Sequence, residues 1–367
     1  MILPMRTLTT ARPWATWALS SVLALTSVGL LAGCNPPAAT PENPDKPATT
    51  GTTGEKPTGS LKIGIVFDSG GLGDKSFNDS AWRGIQKAEK DLGITVSKVE
   101  SKEEKDYETN LAAMADDGND LVIAVGLNQG KALEKVAADY PDTKFAIVDG
   151  FVEAPNVRML HFNEEEGSYL VGYIAGKMTK TGKVGFIGGQ ELDLIKKFQY
   201  GYAAGVNAAN PSATVLPAKY TGSWDNVDDA KIAANVLYDS GADIVYHAAG
   251  RAGLGVIRAA KDRKLFAIGV DSDQDGEAPG NVLTSMIKNV DEAVFATIKD
   301  CVDGKFSAGE IKYDIAQNGV GISKLEHTRD LIGPDVLAEI EALKQKIAAG
   351  ELKVPSTEAE YKAQATK

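Results

Sequence analysis

From Leu61 onward the chain alternates short apolar runs with longer stretches of helical period, and it does so twice over. This alternation limits the fold more than any single motif. Leu121-Val122-Ile123-Ala124-Val125 has no polar face, which suits a strand in a parallel sheet covered on both sides. Further strands are expected at Leu61–Phe67, Thr95–Glu100, Lys144–Val148 and Val157–Phe162, separated by helices near Asn78–Leu92, Tyr107–Asp117 and Gly130–Tyr140. The plan then repeats. Helix Glu165–Lys180 leads to strand Lys183–Ile187, helix Asp193–Asn210, strand Ala213–Tyr220, helix Asn226–Ser240, strand Ile244–His247, helix Gly253–Lys264 and strand Phe266–Val270. The two copies end alike, in Ile147-Val148-Asp149-Gly150 and Ile268-Gly269-Val270-Asp271.

We read an α/β fold of two doubly wound, Rossmann-like lobes. A later strand at Val282–Ile287 and a helix at Val290–Asp303 suggest a chain that crosses between them. The expected division is 61–162 with 284–318 for the N-terminal lobe, and 163–283 with 319–350 for the C-terminal lobe, joined by a hinge. A helix at Pro334–Ala349 is expected to pack on the second lobe, with 351–367 a polar tail that frays. Ligands of open α/β sheets sit at the carboxyl ends of the strands. Two such lobes face to face enclose a small ligand when they close.

Composition removes several function classes. A length of 367 residues suits about two domains. A net charge of −11 argues against non-specific nucleic-acid binding, which needs clustered Lys and Arg. His161, His247 and His327 are scattered and the two Cys lie far apart, so a Cys/His zinc site or a disulfide framework is not expected. No metal or other cofactor is expected. Cys301 reads as a buried structural thiol.

The N-terminal segment reads as an address. Arg6 and Arg12 precede an uncharged run from Pro13 to Gly33. A basic start, an apolar centre and small residues before a cut site describe a secretory signal over 1–33; an uncleaved helical anchor is the alternative. The ending Leu31-Ala32-Gly33-Cys34 resembles the bacterial lipoprotein box, which implies lipidation of Cys34. Asn35–Ser60 holds six Pro and six Thr and no Val, Ile, Leu or aromatic residue, so 34–60 is expected to be a lipidated tether.

The first strand runs into Asp68-Ser69-Gly70-Gly71-Leu72-Gly73-Asp74-Lys75-Ser76-Phe77-Asn78. The spacing is wrong for a phosphate loop, which needs Gly-Lys-Ser in direct sequence. Asp68 and Asp74 would repel phosphate. Asp68 suits a neutral polar ligand instead. Ser76 and Asn78 are expected to cap the following helix. Phe77, among polar neighbours, suits either core packing or stacking on a flat ligand.

This stretch, together with Ser80-Ala81-Trp82-Arg83-Gly84, Glu165-Glu166-Gly167-Ser168-Tyr169-Leu170, Val184-Gly185-Phe186-Ile187-Gly188-Gly189 and Gly269-Val270-Asp271-Ser272-Asp273-Gln274, resembles the basic membrane lipoprotein family in order and spacing over about 61–350. These are substrate-binding proteins of ABC importers, and the resemblance implies a two-lobed periplasmic-binding-protein type I fold. It also implies binding of nucleosides, purines favoured, delivery to a membrane permease, and a lipid-anchored position facing the periplasm or cell exterior. In the family the base lies between two Phe rings, which Phe77 and Phe198 match. Asp68 matches the acid at the base edge, and Asn78 belongs to the same signature. Asp271 and Lys288 match the pair that holds the ribose hydroxyls. Asp149 and Gly250 are expected to line the same strand-end surface. Val125-Gly126-Leu127-Asn128-Gln129 departs from the expected apolar run, so Asn128 bears on base contacts.

Other features point away from chemistry. Asp271-Ser272-Asp273-Gln274-Asp275-Gly276 begins like a calcium loop, but its twelfth position is Val282 where Glu is needed. There is no Gly-x-Ser-x-Gly elbow, no His-Glu-x-x-His and no Ser/His/Asp set, so the reading is a binder and not an enzyme. Three alternatives stand beside it: a receptor for a sugar or signalling molecule, a surface nucleoside hydrolase, and an adhesive or immunogenic surface protein whose cleft is incidental. A monomer is the default, because the cleft must open and close.

Overall fold

The computed structural model describes residues 60–365. The expected signal segment, Cys34 and nearly all of the tether lie outside these residues. Among the described residues no helix is long and apolar enough to cross a membrane.

The first half supplies β1 (Lys62–Phe67), α1 (Phe77–Leu92), β2 (Thr95–Glu100), α2 (Tyr107–Asp116), β3 (Leu121–Val125), α3 (Gly130–Asp139), β4 (Lys144–Val148) and β5 (Val157–Phe162). The second half supplies α4 (Glu164–Met178), β6 (Lys183–Gly188), α5 (Asp193–Ala209), β7 (Thr214–Val215), β8 (Lys219–Tyr220), α6 (Val227–Asp239), β9 (Ile244–Ala248), α7 (Gly253–Arg263), β10 (Phe266–Asp271) and β11 (Val282–Lys288). Then come α8 (Val290–Val302), β12 (Gly309–Tyr313), β13 (Val320–Ile322), α9 (Arg329–Ile332), α10 (Pro334–Ala348) and α11 (Glu358–Ala365).

One sheet has the order β12-β5-β4-β3-β1-β2 and is parallel throughout. The other runs β13-β11-β10-β9-β6-β7, with β8 also on β6, and only its β13 edge is antiparallel. Central strands such as β3 and β9 are buried along their whole length, as a sheet covered on both faces requires. The chain passes between the sheets after β5, after β11 and again after β12. These are two doubly wound lobes.

Three expectations need correction. The lobe boundary at 283/284 would cut β11, which belongs entirely to the second sheet; the crossing falls after Lys288. Ala213–Tyr220 is two short strands, since Pro217 has no N–H to continue the ladder. The C-terminal tail does not fray after Glu351: α11 docks on α5, where Tyr361 stacks on Tyr200 and its hydroxyl accepts from Asn207 Nδ2 at 2.7 Å.

Helices α4 and α5 pack through glycine. A Cβ at Gly172 would lie 2.2 Å from the Tyr202 carbonyl, and one at Gly205 would lie 2.0 Å from the Tyr169 carbonyl. The opposing atoms are backbone, so they cannot turn aside. This close pair holds both Glu164 and Phe198 at the cleft. We expect Gly205→Val to cost upward of about 3 kcal/mol, the top of the usual overpacking range. A thermal melt that matches the wild type would show that the two helices can move apart freely.

Candidate ligand-binding site

The carboxyl ends of β1, β4, β9, β10 and β11 converge on a cavity between the lobes, the place where ligands of open α/β sheets bind. Asp68, Phe77, Asn78, Asp149, Phe198, Gly250, Asp271 and Lys288 all line it. The structure therefore places all eight residues on one cavity.

The first lobe contributes the loop after β1. Asp68 Oδ1 accepts from Gly70 N and from Asn78 Nδ2, each at 2.9 Å. Burial pushes its carboxyl up to about 6. The expected cap on α1 is corrected: neither Ser76 nor Asn78 provides it. Asp74 does, accepting from the backbone N–H of Ser76, Asn78 and Asp79 at 2.8–3.1 Å. That frees Ser76, whose Oγ donates to Asp271 Oδ2 on the other lobe at 2.6 Å, while Ser272 Oγ donates back to the Ser76 carbonyl at 2.8 Å.

Asp149 and Asp271 end their strands with φ of +67° and +62°. Few residues other than Gly, Asn and Asp adopt this region readily. The two like endings seen in the sequence are thus two like backbone turns, each swinging a carboxylate into the cavity. Burial pushes Asp271 up to about 7, against the pull of Lys288 and Ser76. Burial also raises Asp149, outweighing Lys288 beside it.

Lys288, at the end of β11, is fully buried. Its Nζ lies 2.6 Å from Asp149 Oδ2 on the first lobe and 3.0 Å from Glu164 Oε1 at the start of α4. Burial pulls its charge down, but Asp149, Glu164 and Asp271 outweigh this and hold it above the ordinary lysine value. Burial pushes Glu164 up, yet Lys288 and Lys197 bring it below its ordinary value. The Lys288 ammonium also lies 5.3 Å from the Phe77 ring centre and 5.7 Å from that of Phe198. Two rings from opposite lobes and a held cation therefore share one cavity. Phe198 is at once core and lining.

Sequence reasoning missed Glu164, Trp224 and Arg251. Trp224 and Arg251 follow β8 and β9, so the strand-end rule applied to every strand would have found them. Gly250, with φ +54°, sits where a Cβ would come 3.3 Å from the Trp224 carbonyl. Asn128, flagged as a departure, lines the cavity and donates to Glu104 Oε1 at 2.8 Å and to Gln190 Oε1, across the cleft, at 3.2 Å. The calcium-like segment serves the fold: Asp275 accepts from Ser285 Oγ at 3.0 Å and from Ser323 Oγ at 3.0–3.1 Å.

Two α/β lobes enclosing a polar and aromatic cavity at their strand ends define a binding protein for a small solute. Residues 61–358 match the family described as ABC transporter substrate-binding protein, PnrA-like, and the chain belongs to it. It is 39% identical over 316 residues to the CD4+ T-cell-stimulating antigen of Listeria monocytogenes, covering 80% of this chain and 87% of that one. It is 34% identical over 359 residues to the ABC transporter nucleoside-binding protein BmpA of Lactococcus lactis subsp. cremoris, covering 92% and 97%. Among solved structures it resembles an ABC transporter system solute-binding protein from Aeropyrum pernix, with a TM-score of 0.76, 29% identity, and 83% and 96% coverage.

Proposed function

We propose that this chain captures nucleosides, purines in preference, and hands them to the permease of an ABC importer. In this reading a lipid on Cys34 holds it at the outer face of the membrane, and it works as a monomer and carries out no chemistry on its ligand. The observation that carries the proposal is the pairing of Phe77 and Phe198 from opposite lobes beside the buried Lys288. In this reading a flat base lies between the two rings. Asp271 and Lys288 then supply acceptor and donor for sugar hydroxyls, and Asp68 and Asn78 face the base edge. The name of the Lactococcus relative agrees with this reading.

Magnitudes are consistent with it. Stacking contributes about 1–3 kcal/mol per base, and hydrogen bonds to charged groups about 1.5–3 kcal/mol each. Two rings and two charged contacts reach gross terms near the ~8 kcal/mol of a micromolar complex. Asp68, Asp74, Asp149 and Asp271 outnumber Lys288 and Arg251 in the lining, so phosphorylated nucleosides are disfavoured.

The test is calorimetry on the full chain in detergent, unfolded and refolded to strip carried ligand. Inosine, guanosine, adenosine, cytidine and uridine are titrated, with ribose, galactose and AMP as controls. Micromolar or tighter binding of nucleosides but not AMP is expected; silence across all nucleosides would overturn the reading. Phe77→Ala is expected to weaken binding more than about tenfold, the worth of one stacking face. Unchanged affinity would remove Phe77 from the site.

A further inference from the structure

The loop after β1 meets Arg251 of the second lobe, and two polar atoms there lack partners. Asn78 Nδ2 donates to Asp68 Oδ1 at 2.9 Å and to Asp74 Oδ2 at 3.2 Å. Both amide hydrogens are thereby committed to carboxylates, which fixes the orientation of the amide. Asn78 Oδ1 is left as a buried acceptor without a donor. Arg251 reaches across the cleft and donates from Nη2 to the Leu72 carbonyl. Its Nε–H is buried and also unpaired. Both side chains line the cavity.

A buried donor and a buried acceptor left unmatched are costly, and a ligand that satisfies both is favoured over one that satisfies neither. The donor calls for a carbonyl oxygen and the acceptor for an N–H, and a ring edge that carries the two side by side would satisfy both. A 6-oxopurine has that edge. A 6-aminopurine instead turns an N–H₂ donor toward the guanidinium and has no ring N–H at position 1.

We propose that Arg251 is a specificity-determining residue that selects oxo-purine over amino-purine nucleosides by donating its Nε–H to the ligand carbonyl. This rests on the nucleoside reading and narrows it. The Arg251–Leu72 contact joins the two lobes, so the residue reads the base only when the cleft is shut. A ligand that accepts from Nε therefore also favours closure.

Inosine and adenosine differ only at these ring positions. Calorimetry on the full chain in detergent compares them on the wild type, Arg251→Met and Arg251→Gln, with thermal melts to show that each variant is folded. The wild type is expected to bind inosine about tenfold or more tighter, as the loss of a charged donor implies. Arg251→Met loses the Leu72 contact as well, which weakens both nucleosides alike, so its signature is the ratio: inosine should weaken about tenfold more than adenosine, which brings the two near equality. Arg251→Gln, which keeps a neutral donor on a shorter stem, should fall between. A wild-type ratio near one, a ratio unchanged in both variants, or equal weakening of both nucleosides would overturn the proposal; the last would make Arg251 a clasp between lobes and no more. A wild type that binds neither nucleoside would overturn the nucleoside reading itself, and this proposal with it.

Discussion

Lys288→Met is expected to lower folding stability by about 3–5 kcal/mol, the usual result of removing one partner from a buried ion pair. Met is close to Lys in length and fills the space, so a void is not the cause. The cause is charge. Asp149 Oδ2 at 2.6 Å and Glu164 Oε1 at 3.0 Å both face the ammonium, and all three groups are buried. Without it, two carboxylates face each other, with Lys197, 3.2 Å from Glu164 Oε2, left beside them. Stability and binding separate in a second variant. Lys288→Met combined with Asp149→Asn and Glu164→Gln removes the stranded charges, and its melting temperature should return most of the way to wild type. Its nucleoside affinity should stay at least about tenfold weaker, because the charged donor is still missing. Thermal melts and calorimetry on the two variants check this. A single variant as stable as wild type would mean that the cluster is wet; a triple variant with full affinity would take Lys288 out of ligand contact.

Much of the architecture is legible in the chain because parallel strands buried on both faces leave unbroken apolar runs, as Leu121–Val125 does. The site follows from the same logic. Once the strands are placed, Asp68, Asp149, Asp271 and Lys288 fall at their carboxyl ends, and their convergence on one cavity is a consequence of the topology. What stayed hidden depends on contacts between segments far apart in sequence. Ser76 looks like a local helix cap. It instead spans the cleft to Asp271, because Asp74 has already taken the cap. Glu164 looks like one more acid at a helix start, and only the approach of Lys288 from another strand gives it a partner. Arg251 reads as a solvated surface side chain until the Leu72 carbonyl of the other lobe meets it. The polar tail has no apolar run to signal burial, yet Tyr361 is enough to seat α11 on α5.

The same cross-cleft contact makes closure depend on pH. In the closed arrangement Asp271 is buried against Ser76 of the first lobe, and burial lifts its carboxyl from 3.8 to about 7. With the lobes apart it faces water and returns toward 3.8. The sign follows from linkage. Below 3.8 both forms are protonated, so closure is insensitive to pH. Between 3.8 and about 7 the open form has lost this proton while the closed form keeps it, so each rise of one pH unit disfavours closure about tenfold. Above about 7 both are ionised and the penalty is constant. A ligand hydroxyl that donates to Asp271 offsets part of this penalty, which couples ligand capture to closure. Ligand-free protein should therefore be more compact at pH 5 than at pH 8. Small-angle scattering should show a smaller radius of gyration at the acid end, and Asp271→Asn should stay compact throughout because its amide carries no charge to desolvate. A radius that is constant for the wild type, or that falls as pH rises, would show that Asp271 is solvated in the closed form and that closure is governed elsewhere.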